Sequence, residues 1–188
     1  MILVVGGAGY IGSHLVKELV KKEQVIVLDN LSTGYRYLVD DRAVFVQGDL
    51  GNKADLEPIF EKYPIQAVMH FAANSLVGES VVNPLKYYQN NVAATLTLLE
   101  TILKYNVKNF IFSSTAATYG IPNVELITEG CPTNPINPYG RSKLMIEQIF
   151  ADFASAYGLN SQSKEEEGKF SSSLDKNNLN KYSRVASP

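Results

Sequence analysis

Residues 4–14 read Val4-Val5-Gly6-Gly7-Ala8-Gly9-Tyr10-Ile11-Gly12-Ser13-His14, an apolar run that enters a glycine cluster and leaves as an amphipathic segment. Physically this is a buried parallel strand over Ile2–Val5, a tight turn, and a helix that begins near Tyr10. Such a turn leaves backbone N–H groups unpaired at a helix N-terminus, where the aligned peptide dipoles favour an anion. Only glycine lets a pyrophosphate come that close. The glycines satisfy Gly7-x-Gly9-x-x-Gly12 and the wider Gly6-x-x-Gly9-x-x-Gly12. A glycine pattern alone also describes a ligand-free turn, so the context has to decide.

That context is a second buried strand over Gln24–Leu28 that ends in Asp29, close to the spacing at which a carboxylate meets an adenosine ribose. A carboxylate there accepts from the ribose hydroxyls and repels a 2′-phosphate. The implied ligand is a dinucleotide, NAD rather than NADP; the competing reading of Asp29 is a solvated strand end.

Composition sets the frame. With 188 residues, 45% of them apolar, the chain suffices for one domain with a core and is too short for two full ones. A formal net charge of −2 gives no broad attraction to nucleic acid or anionic membrane, and neither is expected as a partner. The single cysteine, Cys131, lies in a loop between Gly130 and Pro132 and has no internal disulfide partner, as suits a reducing compartment. The first residues form a strand rather than a charged-then-apolar leader, and no apolar run reaches membrane-spanning length. A soluble, cytoplasmic protein is the expectation.

Up to about Tyr157, short β-branched runs alternate with helical patterns, the signature of an α/β fold with a Rossmann-like, doubly wound parallel sheet. Further strands are predicted at Ala43–Gln47, Ala67–Phe71 and Asn109–Phe112. Helices are predicted at Ile11–Lys22, Lys53–Lys62, Asn83–Tyr105 and Pro138–Tyr157. Right-handed crossovers give the order 3-2-1-4-5, with a ligand crevice at the carboxyl ends of strands 1 and 4.

Every chemical candidate falls on that edge. Asp49, after the third strand, is placed either to accept from an adenine amino group or to cap a turn. The small residues of Phe71-Ala72-Ala73-Asn74-Ser75 let a cofactor lie against backbone. His70 and His14 lack partners in a ligand spacing and read as structural, and no metal site is expected. Asn90 and Asn91 sit inside a helix that disfavours them, so one of them either bonds across the crevice or lies on a solvated face.

The fifth strand runs into Ser113-Ser114-Thr115, three successive hydroxyls that cap a turn or serve chemistry. Tyr139 and Lys143 stand i, i+4 on one helix face, where a cation stabilises a phenolate and makes the phenol usable as a base near neutrality.

With these residues in hand, the chain resembles the UDP-glucose 4-epimerase family (the UDP-galactose 4-epimerases) of the extended short-chain dehydrogenase/reductase superfamily. The resemblance covers about residues 1–160. It runs through Gly6–His14, Leu28–Gly34, His70–Ala73, Val77–Ser80, Tyr87–Val92 and Asn137–Gln148.

It implies an NAD site lined by Gly6, Gly9, Tyr10, Ile11, Gly12, Asp29, Asn30, Leu31, Ser32, Thr33, Gly34, Asp49, Leu50, Phe71, Ala72, Ala73, Asn74, Ser75, Asn90, Tyr139 and Lys143. Ser75 stands where some members carry lysine. The implied catalytic residues are Thr115, Tyr139 and Lys143, acting on UDP-glucose and UDP-galactose through a 4-keto sugar. Related dehydratases and decarboxylases place an acid just after the catalytic hydroxyl; here Ala116 and Ala117 follow, which favours epimerisation. The resemblance also implies a homodimer through the third and fourth helices.

After Asn160 the resemblance stops. Residues 161–188 are polar and lysine-, serine- and asparagine-rich, with disorder the expected state, no sixth strand and an apolar fifth-strand edge left bare. On this reading residues 1–160 form the NAD-binding domain, the substrate domain is absent, and activity in the truncated chain is impaired. A non-catalytic NAD-binding remnant, a dimerising fragment, or another NAD-dependent nucleotide-sugar epimerase or dehydratase are the alternatives.

Overall fold

The computed structural model describes residues 1–162. Its centre is a parallel sheet in the order β3-β2-β1-β4-β5-β6, formed by β1 (Ile2–Val5), β2 (Val25–Asp29), β3 (Val44–Gln47), β4 (Ala67–His70), β5 (Asn109–Phe112) and β6 (Asn160–Gln162). The expected Rossmann-like class and the order of its first five strands are both present. β2 and β4 are buried at every position, as parallel strands covered on both faces must be, whereas edge strand β3 is buried at none.

Strand alternation sends the side chains into two cores. Leu3, Val5, Ile26, Leu28 and Phe110 face one core, which α2 (Lys53–Lys62), α5 (Ala94–Lys104) and α6 (Pro138–Tyr157) close. Val4, Val25, Val27 and Met69 face the other, which α1 (Tyr10–Leu19) closes with Leu15, Val16 and Leu19.

Several boundaries differ from the sequence reading. α1 ends at Leu19 rather than Lys22, because Lys21 and Lys22 donate in tighter turns to Glu18 and Leu19. A six-residue helix, α3 (Val77–Val82), was not foreseen. The single helix expected over Asn83–Tyr105 is three segments: α4 (Pro84–Tyr87), a π-helical turn over Tyr88–Ala93, and α5. The wider turn inserts a residue per turn and shifts the phase of the two asparagines.

A sixth strand forms where none was expected. Gly158 ends α6 in the left-handed conformation, φ 65°. The chain then turns back, buries Leu159 in the first core, and pairs Asn160, Ser161 and Gln162 with Asn109, Phe110 and Ile111. Polar residues serve here because an edge strand needs only its backbone, and part of the β5 edge is thereby covered. The remainder of the expected tail, residues 163–188, lies outside the described residues.

His70, at the end of β4, is buried and reads as structural. Its Nε2 lies 2.9 Å from Thr95 Oγ1, whose own hydroxyl donates to the Asn91 carbonyl at 2.5 Å. Thr95 is therefore the acceptor, and Nε2 carries the proton. Burial, with Lys143 nearby, pushes the imidazole down to about 3.

Two outcomes follow. A Cβ on Gly12 would stand 2.2 Å from the Gly6 carbonyl oxygen, so Gly12→Ala should lower stability by about 3 kcal/mol, read as a fall of several degrees in Tm. His70 sets an acid limit. Above its ordinary 6.5 the imidazole is neutral folded or unfolded; below that only the unfolded chain takes the proton, until about pH 3. Stability should therefore fall with acidification through that window, by up to about 1.4 kcal/mol per pH unit from this group. Urea midpoints between pH 4 and pH 8 should show a shallower slope in His70→Asn.

Candidate functional site

The turn after β1 is held by two close approaches. Gly6 has φ +81°, and a Cβ there would lie 2.4 Å from the Ala72 nitrogen, so the turn sits directly on the segment after β4. Gly12 lets the first turn of α1 rest on the Gly6 carbonyl. Gly9 is different. Its φ is −78°, and an added Cβ would meet only the Gly6 oxygen, at 3.4 Å. The fold does not need glycine at Gly9, yet it caps α1 without a side-chain bond, at a helix end whose first N–H groups have no partner within the helix. Glycine there keeps the space over the helix end open.

Asp29 closes the other side of the turn. Its buried carboxylate accepts from the Ala8 N–H through Oδ2 and from the Leu31 N–H through Oδ1, both at 2.9 Å. These bonds hold Leu31 at φ 60°, a left-handed conformation that leucine rarely adopts, and fold the loop back until Gly34 abuts Ala8.

The segment after β4 is fixed by Asn91. Fully buried, it accepts from the Asn74 N–H at 2.8 Å and donates at 3.0 Å to both the Asn74 carbonyl and the Ser142 hydroxyl. The asparagine that bonds across the crevice is thus Asn91. Asn90 donates to it at 2.9 Å and faces the cleft.

α6 begins at the N-cap Asn137, which accepts from the Gly140 N–H at 2.8 Å; a Cβ on Gly140 would lie 2.5 Å from the Ala117 carbonyl. The first turn of α6 is therefore packed against the short 3₁₀ turn Ala116–Thr118. This delivers Tyr139 and Lys143 to the same cleft as the glycine turn. Lys143 is 3% exposed, donates to the Ser113 carbonyl at 2.8 Å, and holds its ammonium 4.5 Å from the centre of the Phe112 ring. Burial pushes this ammonium down to about 7, and the Glu147 carboxylate opposes the shift.

The cleft encloses about 370 Å³ at the carboxyl ends of β1, β2 and β4. Along its walls stand Gly6, Gly9 and Tyr10–Gly12 from the turn, Asp29, Asn30, Ser32 and Thr33 from the second loop, then Leu50, Phe71–Ser75 and Asn90. Four expected residues are not on that wall. Leu31 packs against the second core, and Gly34 lies against Ala8. Asp49 accepts from Asn30 at 2.8 Å and from the Gly51 N–H at 2.7 Å, and faces an adjoining groove of about 750 Å³. Thr115 caps the 3₁₀ turn by accepting from the Ala117 N–H at 3.2 Å. Its neighbours Ser113 and Ser114 line the cleft instead, a distinction that no side-chain pattern in a run of hydroxyls carries.

The described residues contain no group of His, Cys, Asp or Glu arranged to hold a metal ion, and no helix long and apolar enough to cross a membrane.

Comparison with known proteins places this geometry among relatives. The UDP-glucose 4-epimerase of Lactobacillus helveticus is 56% identical over 151 residues, which make up 80% of this chain and 46% of that one. That of Streptococcus mutans is 52% identical over 161 residues, 84% of this chain and 48% of that one. Among solved structures, UDP-glucose 4-epimerase from Brucella ovis in complex with NAD matches with a TM-score of 0.82 and 51% identity, over 85% of this chain and 49% of that one. UDP-glucose 4-epimerase from Thermotoga maritima with UDP-glucose matches with a TM-score of 0.80 and 39% identity. The chain spans about half the length of the curated relatives it matches. The family model described as NAD dependent epimerase/dehydratase matches residues 2–163, and the chain belongs to that family.

Proposed function

We propose that this chain binds NAD in the cleft and contributes the cofactor-binding half of a UDP-glucose 4-epimerase, which interconverts UDP-glucose and UDP-galactose. The observation that carries the proposal is the meeting of Tyr139 and Lys143, from α6, with the glycine turn of β1 in one cleft. The names and NAD complex of the relatives support it.

The residues fit the cofactor. The open space over Gly9 accepts a pyrophosphate against the first N–H groups of α1, where the helix dipole favours negative charge. Each Asp29 oxygen keeps a lone pair beyond its backbone bond, enough to accept from ribose hydroxyls, and its charge disfavours a 2′-phosphate. Asn30 and Leu50 on the cleft wall, with Asp49 on the adjoining groove, are assigned to the adenine end. Ala72 and Ala73 leave room along the β4 segment.

Bound NAD supplies a reversible hydride acceptor for carbon 4 of the sugar. Tyr139, as phenolate, takes the proton of the 4-hydroxyl and returns it after the 4-keto sugar has turned over. Thr115 still has its hydroxyl proton to donate, since its capping bond uses the oxygen as acceptor. Lys143 supplies the cation that stabilises the phenolate and a donor for the cofactor ribose. Thr115, directly after the cleft-lining Ser113 and Ser114, is the hydroxyl assigned to the sugar oxygen. A homodimer through α4–α5 and α6, where Leu96 and Met145 are exposed, belongs to the same proposal. So does a reducing cytoplasmic setting in which Cys131 stays a thiol.

Calorimetric titration of the 188-residue chain with NAD, followed by UDP-galactose, tests the reading. Binding should be saturable, and Gly9→Val should weaken it by more than about tenfold while leaving Tm close to wild type, because the substitution fills the pyrophosphate space. Absence of binding by the folded wild-type chain overturns the proposal. Tyr139→Phe should keep NAD affinity within about twofold, because the aromatic ring remains. It should abolish any appearance of UDP-glucose; conversion that survives in Tyr139→Phe contradicts the role given to the phenol.

A further inference from the structure

Lys143 and Glu147 stand one turn apart on the same face of α6, and both reach the dipeptide that follows β5. Lys143 Nζ donates to the Ser113 carbonyl at 2.8 Å, and the Ser114 hydroxyl donates to Glu147 Oε1. Two side chains of one helix thus clasp two successive residues, directly before Thr115. Ser114 lines the cleft, but its proton is committed to the helix.

Lys143 is buried, so its charge needs support from inside the protein. The ionisable groups around it and Glu147 are Tyr139 on the same helix, His70 on β4 and Tyr119 after the 3₁₀ turn, itself raised by burial and by the Glu147 charge, with Tyr87 of α4 beyond Tyr139. His70 is held neutral by burial, at about 3. Tyr87 is pushed up to about 12 by its own burial and by its bond to Glu79, and is neutral as well. Phe112 offers the ammonium only a ring face. Among these groups Glu147 is the carboxylate.

We propose that Glu147 is a positioning residue: it pins the end of β5 through Ser114 and supplies the negative charge that keeps the Lys143 ammonium inside the cleft wall. The mechanistic value of this rests on the NAD reading above, in which Lys143 meets the cofactor and Tyr139. The arrangement itself is a property of the ligand-free chain, so its test uses no cofactor.

The experiment is an NMR titration of the Lys143 side chain in the 188-residue protein, with Lys143→Arg assigning the resonance. Glu147→Gln keeps an acceptor for Ser114 and removes the charge. The Lys143 midpoint should fall by about one pH unit while the Ser113–Thr115 amide shifts stay near wild type. Glu147→Ala should lower the midpoint and also move those amides. An unchanged midpoint in folded Glu147→Gln overturns the proposal, as does a shift of the same size in a control such as Glu100→Gln, a charge removed from the exposed face of α5. If Glu147→Gln does not fold, Ser114→Ala releases the same carboxylate from its anchor; a midpoint unmoved there overturns the proposal equally. Failure of NAD binding, by contrast, leaves these midpoints as they are and refutes only the functional reading.

Discussion

The site depends on how closely three backbone segments approach one another at the end of β1. The Gly6 turn lies on the Ala72 segment with no room for a Cβ, the first turn of α1 lies on the Gly6 carbonyl, and the loop after β2 is drawn in by the Asp29 carboxylate. Steric exclusion and two hydrogen bonds to a buried acid fix where α1 points. Because β1 and β4 are neighbours in a sheet whose order reverses between them, that helix end opens onto a crevice rather than onto another helix. The open position of the α1 N-terminus is thus a consequence of backbone packing.

The second half of the site is built from the opposite direction. α6 enters on Asn137 and Pro138, is packed through Gly140 on the turn after β5, and is tied through Ser142 and Asn91 to the segment after β4. Tyr139 and Lys143 therefore inherit their positions from the backbone on either side of β4. The same strand end carries His70, whose Thr95 bond leads back to the Asn91 carbonyl. A single buried network joins the segment after β4 to the helix that carries Tyr139 and Lys143, and so ties two walls of the cleft together.

What was legible in the sequence was short in range. Glycine spacing, an acid at a strand end, and a Tyr–Lys pair one turn apart are local patterns whose geometry follows from the chain's own repeat, and the structure brings them to one cleft. What was not legible depended on phase or on backbone alone. A π-helical turn hands the crossing bond to Asn91 rather than Asn90. The backbone after β5 turns Ser113 and Ser114 toward the cleft and gives Thr115 to a 3₁₀ cap. β6 could form from polar residues because an edge strand asks only for backbone donors and acceptors, and a hydrophobic pattern cannot announce it. The partnership of Glu147 with Ser114 left a trace, an acid four residues after Lys143, but one common to many exposed helices.

The most direct test of the account is the amide NMR spectrum of the uniformly labelled chain during titration with NAD. Shift changes are expected at Gly9–Gly12, at Asp29–Thr33 and at Phe71–Ser75, with Tyr139 and Lys143 following, and little change in α2 or on the far face of α1. Saturable changes confined to other surfaces, or a spectrum of a folded chain that NAD leaves untouched, would contradict it.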